Sequence, residues 1–283
     1  MNGFCPKGLA RRFFRRLMGH FTSEPCGGDL GRSAVVFSPH PDDETLGCGG
    51  TIIQKRRAGA AVKIVFMTDG GRSHRHLISG DELRSIRASE ALAASRTLGV
   101  AEDGVTFLGF EDGRLSERQG QAIPRVAEVL RRERPDEVFV PYHRESPPDH
   151  FATHRIVLSA LRACGRGVAV YEYPIWFWGH WPWVSAPARG PGGMANVSQN
   201  SLVSGLRLLR DFRRCVYIGD VLTLKRAALA QHRSQMARLT PDPRWQTLGD
   251  VSNGEFLDCF FQDHEVFRHY RLCRARRAGY DRE

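Results

Sequence analysis

Residues 34–50 read Ala34-Val35-Val36-Phe37-Ser38-Pro39-His40-Pro41-Asp42-Asp43-Glu44-Thr45-Leu46-Gly47-Cys48-Gly49-Gly50. The run from Ala34 to Ser38 has the apolar character of a short buried strand. Prolines end it, and the glycine-rich stretch from Leu46 to Gly50 leads into a helix expected through Thr51–Arg57. The same strand-then-helix unit recurs downstream. Val62–Met67 reads as a second strand ending at Thr68-Asp69-Gly70-Gly71, and Glu82–Leu98 as a long helix stopped by Gly99. Val105–Leu108, Glu137–Pro141 and Val168–Tyr173 read as further strands, separated by helices at Ile123–Arg132 and His154–Ala163. This alternation predicts an α/β fold: a Rossmann-like, mostly parallel sheet with helices on both faces. Helical periodicity resumes around Val221–Met236, so the C-terminal part is expected to be α-rich. The loops after the first, second and fourth strands should share one edge of the sheet.

Charge divides the 283-residue chain more sharply than it describes it. Lys and Arg total 41 against 31 Asp and Glu, a formal +10. Residues 1–33 carry +4, residues 268–283 another +4, and the 234 residues between them only +2. Three segments follow: a basic N-terminal extension and linker (1–33), a central domain (34–267) and a basic C-terminal tail (268–283). A nucleic-acid surface spread over the whole chain is disfavoured, and no recognition motif for nucleic acid accompanies the charge. No run of about 18 apolar residues marks a transmembrane helix. Arginines interrupt the N-terminus where a signal peptide would need its apolar stretch. The seven cysteines are an odd number without a CxxC pair, which argues against both a disulfide framework and a thiolate zinc site. A cytoplasmic location is therefore expected. In residues 7–21 (KGLARRFFRRLMGHF) apolar pairs alternate with arginine pairs at a period near four, which suits an amphipathic helix. A solvated tail and peripheral membrane-surface contact through residues 7–21 are both compatible with it.

The chemistry concentrates in two places. His40, Asp42, Asp43 and Glu44 follow the first strand directly, offering metal ligands and proton acceptors together. Adjacent aspartates point in different directions, so one can ligate while the other faces a substrate; a capped helix turn is the structural alternative. After the fourth strand, Pro147-Pro148-Asp149-His150-Phe151-Ala152-Thr153-His154 opens a helix and places His150 and His154 four residues apart. Two such clusters at one sheet edge can supply a His/Asp/His set with a fourth position open to water, the pattern of catalytic rather than structural zinc. The donor types also suit iron, manganese or cobalt.

This ordered series resembles the LmbE-like/PIG-L superfamily of zinc-dependent N-deacetylases. The resemblance rests on PHPDDE after a strand, LGCGGTI, TDG, RxxEA with a following LG, PDH, and a KxxAxxxHxSQ segment running from Lys225 to Gln235. It spans about residues 34–236 and implies a Rossmann-like fold. It also implies removal of an acetyl group from a small-molecule or lipid-linked N-acetylated amino sugar or glycoconjugate. Position by position, it implies His40, Asp43 and His150 as ligands of Zn2+, with Fe2+ as another possible metal. Asp42 corresponds to the general base that activates the metal's water. Arg87, Asp112 and His232 correspond to substrate-contacting positions, and Glu44 reads as support. Many members carry a histidine where this chain has Pro147, so His143, His154 or His232 is left to supply the acid, or Asp42 shuttles the proton alone. A non-catalytic zinc- or glycan-binding descendant of the same fold is the alternative function, and Pro147 is the best argument for it.

Several residues stand apart from that set. His74 and His76 lie in a polar loop after the second strand and read more readily as solvated than as site residues. Cys48 reads as a small buried residue rather than a nucleophile. Four of the five tryptophans fall in Trp176–Val197, which suits a packed irregular cap or a substrate-facing loop.

Overall fold

Strand β1 (Ala34–Ser38) is buried along its whole length, and this places it inside the sheet with both faces covered. The computed structural model describes residues 30–180, 184 and 203–273. Beside β1 lie β2 (Val62–Thr68), β3 (Val105–Phe110), β4 (Glu137–Pro141), β5 (Val168–Tyr173), β6 (Arg214–Tyr217) and β7 (His264–Leu272), in the spatial order β3-β2-β1-β4-β5-β7-β6. The first five strands pair in parallel, while β7 pairs antiparallel with both β5 and β6. The α/β, mostly parallel reading therefore holds. The C-terminal part contains short helices, but it also extends the sheet by two antiparallel strands that its helical periodicity did not announce. Strand β7 also crosses residue 268, so the first residues of the expected basic tail belong to the sheet. Residues 7–21 lie outside the described residues. Among those described, no helix is long and apolar enough to cross a membrane.

Alternation along the central strands divides the core in two. Val36, Ile64, Phe66 and Phe139 face one side, with Leu46, Ile52 and Ala91 against them. Val35, Phe37, Val65, Met67, Val138 and Val140 face the other, with Val126, Leu130, Ile156 and Val157. The first side is covered by helices α1 (Asp43–Arg57) and α2 (Gly80–Thr97), the second by α3 (Gln119–Glu133) and α4 (Pro148–Cys164). Helix α4 starts with Pro148 in its first turn, where a missing N–H costs nothing, and ends at Gly165 in a left-handed conformation. From β1 the chain winds outward to β2 and β3, then returns to lay β4 on the other side of β1. The loops after β1 and β4 thus flank a topological switch point, where a sheet of this kind opens a crevice.

Helix α1 begins at Asp43 and runs straight through the glycines that suggested a turn. Close packing explains their tolerance there. A Cβ on Gly50 would lie 2.5 Å from Ile218 Cγ2, and one on Gly47 would collide with the Tyr173 ring. A buried ion pair fastens the same part of the helix. Helix α5 (Leu222–Leu229) carries Lys225, whose Nζ donates to Glu265 Oε1 (2.7 Å) and to the Leu46 carbonyl (2.8 Å). Glu265 in β7 in turn accepts from the backbone N–H groups of Gly50 (2.8 Å) and Thr51 (2.7 Å). Late-sequence elements thereby fix the helix that carries the first acidic cluster.

In an exposed helix interior, Gly→Ala stabilises by about 1 kcal/mol. At Gly50 the sign should reverse: Gly50→Ala is expected to destabilise by about 1–3 kcal/mol in urea denaturation, through overpacking against Ile218. Combining it with Ile218→Ala should cost less than the sum of the single changes.

Candidate metal centre and cavity

The turn between β1 and α1 is built around a buried carboxylate. Glu44 Oε2 accepts from the Asp42 backbone N–H (3.0 Å) and from Ser38 Oγ (3.2 Å). Its Oε1 accepts from Thr45 Oγ1 (2.6 Å) and lies 3.1 Å from His232 Nε2. Asp42 itself sits at φ 136°, a conformation that L side chains rarely adopt and that the surrounding bonds must hold in place. On its other flank, the buried Arg87 guanidinium meets Asp42 Oδ2 at 3.3 Å and donates to the carbonyls of Gly70 and Pro41.

This turn and the start of α4 bring the three expected ligands together. Asp43 Oδ2 lies 3.2 Å from His40 Nδ1 and 3.2 Å from His150 Nε2. His150 is fully buried, yet neither ring nitrogen has a hydrogen-bond partner. An imidazole left unsatisfied beside a carboxylate is costly unless a cation completes it. The donor set of two imidazoles and one carboxylate fits a divalent metal with a position left open. A second grouping, His40 with Asp112 and Asp149, is also close enough to ligate. There, however, Asp149 is occupied by the backbone: its Oδ2 accepts from Gly113 N–H (2.6 Å) and its Oδ1 from Leu115 N–H (3.1 Å). With Oδ2 also 3.3 Å from His40 Nε2, Asp149 is placed to orient that ring while its other face turns to Asp43.

The charges sort accordingly. Burial pushes Asp42 up to about 6 against the opposing pull of Arg87, with Asp43 adding to the rise. Asp43 feels the same burial, but the imidazoles of His150 and His40 outweigh it and hold its carboxyl well below the usual range. For Asp112, burial is outweighed by His40 and then Arg87, and its carboxyl falls to about 2. Cys48 is buried and its thiol is pushed up by that burial, which suits a packing residue rather than a nucleophile.

Above His40 and Asp43 opens a cavity of about 340 Å3, with His40, Asp42, Asp43, Asp112 and Asp149 among its lining residues. Leu46, Ile175, Trp176, Leu248 and Phe256 supply apolar wall, and Trp176 stacks on Phe256 at 5.0 Å between ring centroids. Trp176 therefore both packs and faces the cavity. Residues 181–183 and 185–197 of its aromatic stretch lie outside the described residues. Pro147 lines the cavity without a titratable group.

The other expected residues are dispersed. Arg87 lines the cavity, but its guanidinium is occupied by the Asp42 turn. His232 does not line the cavity; it stands behind Glu44. His143 and His154 both turn to Glu172 of β5, at 2.8 and 3.0 Å, where Arg268 of β7 joins them. His74 departs from the solvated reading. It is buried, with Nε2 2.8 Å from the Gln246 carbonyl and its ring stacked on Trp245 at 4.3 Å. Its partners lie about 170 residues along the chain, which local polarity cannot reveal.

Two buried carboxylates close to His150 carry little signal in the sequence. Asp149 stood in the quoted PDH segment, and its place in the first turn of α4 was the available signal. Glu145 accepts from the N–H groups of Ile175, Trp176 and Phe177 at 2.9, 2.6 and 3.2 Å, and ties the aromatic wall to the loop before His150. Its partners come from the segment after β5, so its burial carries no local mark.

Comparison with known proteins agrees with this geometry. The family profile described as PIG-L, GlcNAc-PI de-N-acetylase, matches residues 35–161. A 1D-myo-inositol 2-acetamido-2-deoxy-alpha-D-glucopyranoside deacetylase of Rhodococcus opacus (strain B4) is 28% identical over 259 residues, covering 78% of this chain and 87% of that protein. Among solved structures, the N,N'-diacetylchitobiose deacetylase from Pyrococcus horikoshii superposes with a TM-score of 0.59 at 23% identity, covering 95% of this chain and 94% of that one. The 4-carboxy-2-hydroxymuconate hydratase from Pseudomonas putida KT2440 also shares the fold, with a TM-score of 0.53 at 17% identity and coverage of 85% and 96%. The fold therefore hosts more than one reaction, and the side chains of the site must carry the functional argument.

Chelated protein titrated with Zn2+ is expected to bind one ion per chain. At a hundredfold excess of free ion over Kd, binding should stabilise the fold by about 2.7 kcal/mol. Asp43→Ala and His150→Ala should both abolish stoichiometric binding in calorimetry. Retention of full affinity by either variant would rule out this ligand set.

Proposed function

Because the chain belongs to the PIG-L/LmbE-like deacetylase family, we propose that it is a metal-dependent hydrolase. It removes the acetyl group from the nitrogen of an N-acetylated amino sugar or glycoconjugate. The observation that carries this reading is the grouping of His40, Asp43 and the buried His150, with His40, Asp42 and Asp43 lining one cavity at the sheet's switch point.

A divalent ion held by His40, Asp43 and His150, with Zn2+ the first choice for that donor set, would polarise the acetamide carbonyl and lower the pKa of water toward about 7. The residues of the chain supply the rest. Asp42 lines the cavity beside the ligands, and its carboxyl at about 6 suits proton transfer near neutral pH. It takes a proton from the attacking water. With Pro147 offering no titratable group, the same carboxyl returns the proton to the departing amine. Arg87 and the Glu44 turn hold Asp42 for both transfers, so Arg87 acts through Asp42 rather than on the sugar. Trp176 and Phe256 offer an apolar face against which a pyranose ring can lie. Pro147 is also the observation that favours the second reading, a glycan-binding protein without turnover.

The metal-loaded protein is expected to release acetate from N-acetylglucosaminyl compounds. Asp42→Asn should slow release by about 10²- to 10⁴-fold, the usual worth of a general base, while metal content stays at one ion per chain. Sugar binding without acetate release from the unsubstituted protein would decide for the second reading. An Asp42→Asn protein that kept its metal and the full rate would remove Asp42 as the base.

A further inference from the structure

Two arginines line the cavity, and they are used differently. Arg87 is buried and committed to Asp42 and to the carbonyls of Pro41 and Gly70. Arg84, on the same helix, is taken up by Asp69 and Asp81. Arg72 is exposed at the cavity wall. Its backbone N–H donates to Asp112 Oδ2 (3.1 Å), but among the described residues its guanidinium makes no hydrogen bond or ion pair.

The surroundings leave a place for that guanidinium. It lies over Gly113, where a Cβ would come within 3.2 Å of Arg72 Cζ, and Gly113 has φ +80°. A side chain at this position is thus disfavoured both by the backbone and by Arg72. The loop beneath is fixed. Gly113 N–H donates to Asp149 Oδ2 (2.6 Å), and Asp112 Oδ1 lies 3.2 Å from His40 Nε2. Arg72 is therefore clasped to the residue that borders the metal set.

The rest of the cavity floor is rich in carboxylates: Asp42, Asp43, Asp112 and Asp149. An anionic substrate group would be repelled there unless it had a cation of its own. An unpaired guanidinium presents a planar fork of donors that matches phosphate or carboxylate. We infer that Arg72 determines specificity: the preferred substrate carries an anionic group, phosphate or carboxylate, in addition to its acetamide, and Arg72 binds that group. The inference rests on the deacetylase reading and adds the charge of the substrate to it.

The test uses the full-length, metal-loaded protein with three compounds. Methyl N-acetylglucosaminide is neutral, N-acetylglucosamine 1-phosphate carries a phosphate, and N-acetylglucosaminuronic acid carries a carboxylate. At least one anion is expected to exceed the neutral compound in kcat/KM. Arg72→Ala should lower that ratio by about tenfold or more, through KM, as expected for a lost charge-assisted contact. Arg72→Lys, which keeps the charge but not the fork, should fall between and guards against a misfolded alanine variant. Whichever anion is preferred identifies the source of the charge. A ratio near unity in the unsubstituted protein, or one that Arg72→Ala leaves unchanged, overturns the inference. If no compound releases acetate, the deacetylase reading fails by itself. Calorimetric titration with glucosamine 1-phosphate and glucosaminuronic acid then decides the role of Arg72. Binding weakened about tenfold in Arg72→Ala supports it, and absent or equal binding overturns it.

Discussion

Glu44 is a fully buried carboxylate that does not line the cavity, and the candidate site depends on it. Between β1 and α1 the chain must turn sharply enough to present His40, Asp42 and Asp43 to one crevice, and Asp42 takes an unfavourable backbone conformation to do so. Glu44 offsets that strain by accepting from the Asp42 amide, the Ser38 hydroxyl and the Thr45 hydroxyl, with His232 beside it. Residues from β1, α1 and the segment after α5 thus converge on one side chain. A buried carboxylate is expensive unless satisfied. Here its satisfaction and the shape of the turn are the same set of bonds.

A second arrangement of the same kind holds the helix behind the turn. Lys225 and Glu265 meet the Leu46 carbonyl and the Gly50 and Thr51 amides in the middle of α1. Glycines at 47 and 50 let Tyr173 and Ile218 close on the helix. The loss in helix propensity is offset by packing that positions the end carrying Asp43. The KxxAxxxHxSQ segment therefore works from behind the site: Lys225 clamps α1 and His232 backs Glu44. Gln235 reaches the cavity lining.

Legibility followed the range of the interactions. The parallel strands and both clusters of candidate ligands are readable because each is a contiguous run: an apolar pentapeptide, PHPDDE and PDH. The ends of β4 and β5 fall where the local pattern put them. Helix α1 starts at Asp43 rather than at the expected Thr51, because its glycines signal a turn until Tyr173 and Ile218 stand against them. His143 and His154 looked like candidate acids because histidines near a metal motif share its chemistry. Glu172 claims both, and its position on β5 is set by sheet pairing. His74 and Glu145 were obscured for the same reason, since the partners that bury them come from distant segments.

The sequence by itself determined the donor types, their order along the chain and the alternating pattern that brings them to one sheet edge. These are local properties of side-chain chemistry and periodicity. Only the tertiary structure decided which donors meet and which are diverted. It turned Asp43 between two imidazoles, engaged Asp149 and Arg87 in support, withdrew His143 and His154 to Glu172, and left the Arg72 guanidinium on the cavity wall without a partner among the described residues. The physical reason is that a buried charge must be satisfied by whatever group packing brings within hydrogen-bond reach. That neighbour is chosen by strand order and helix docking, over separations that no local pattern encodes.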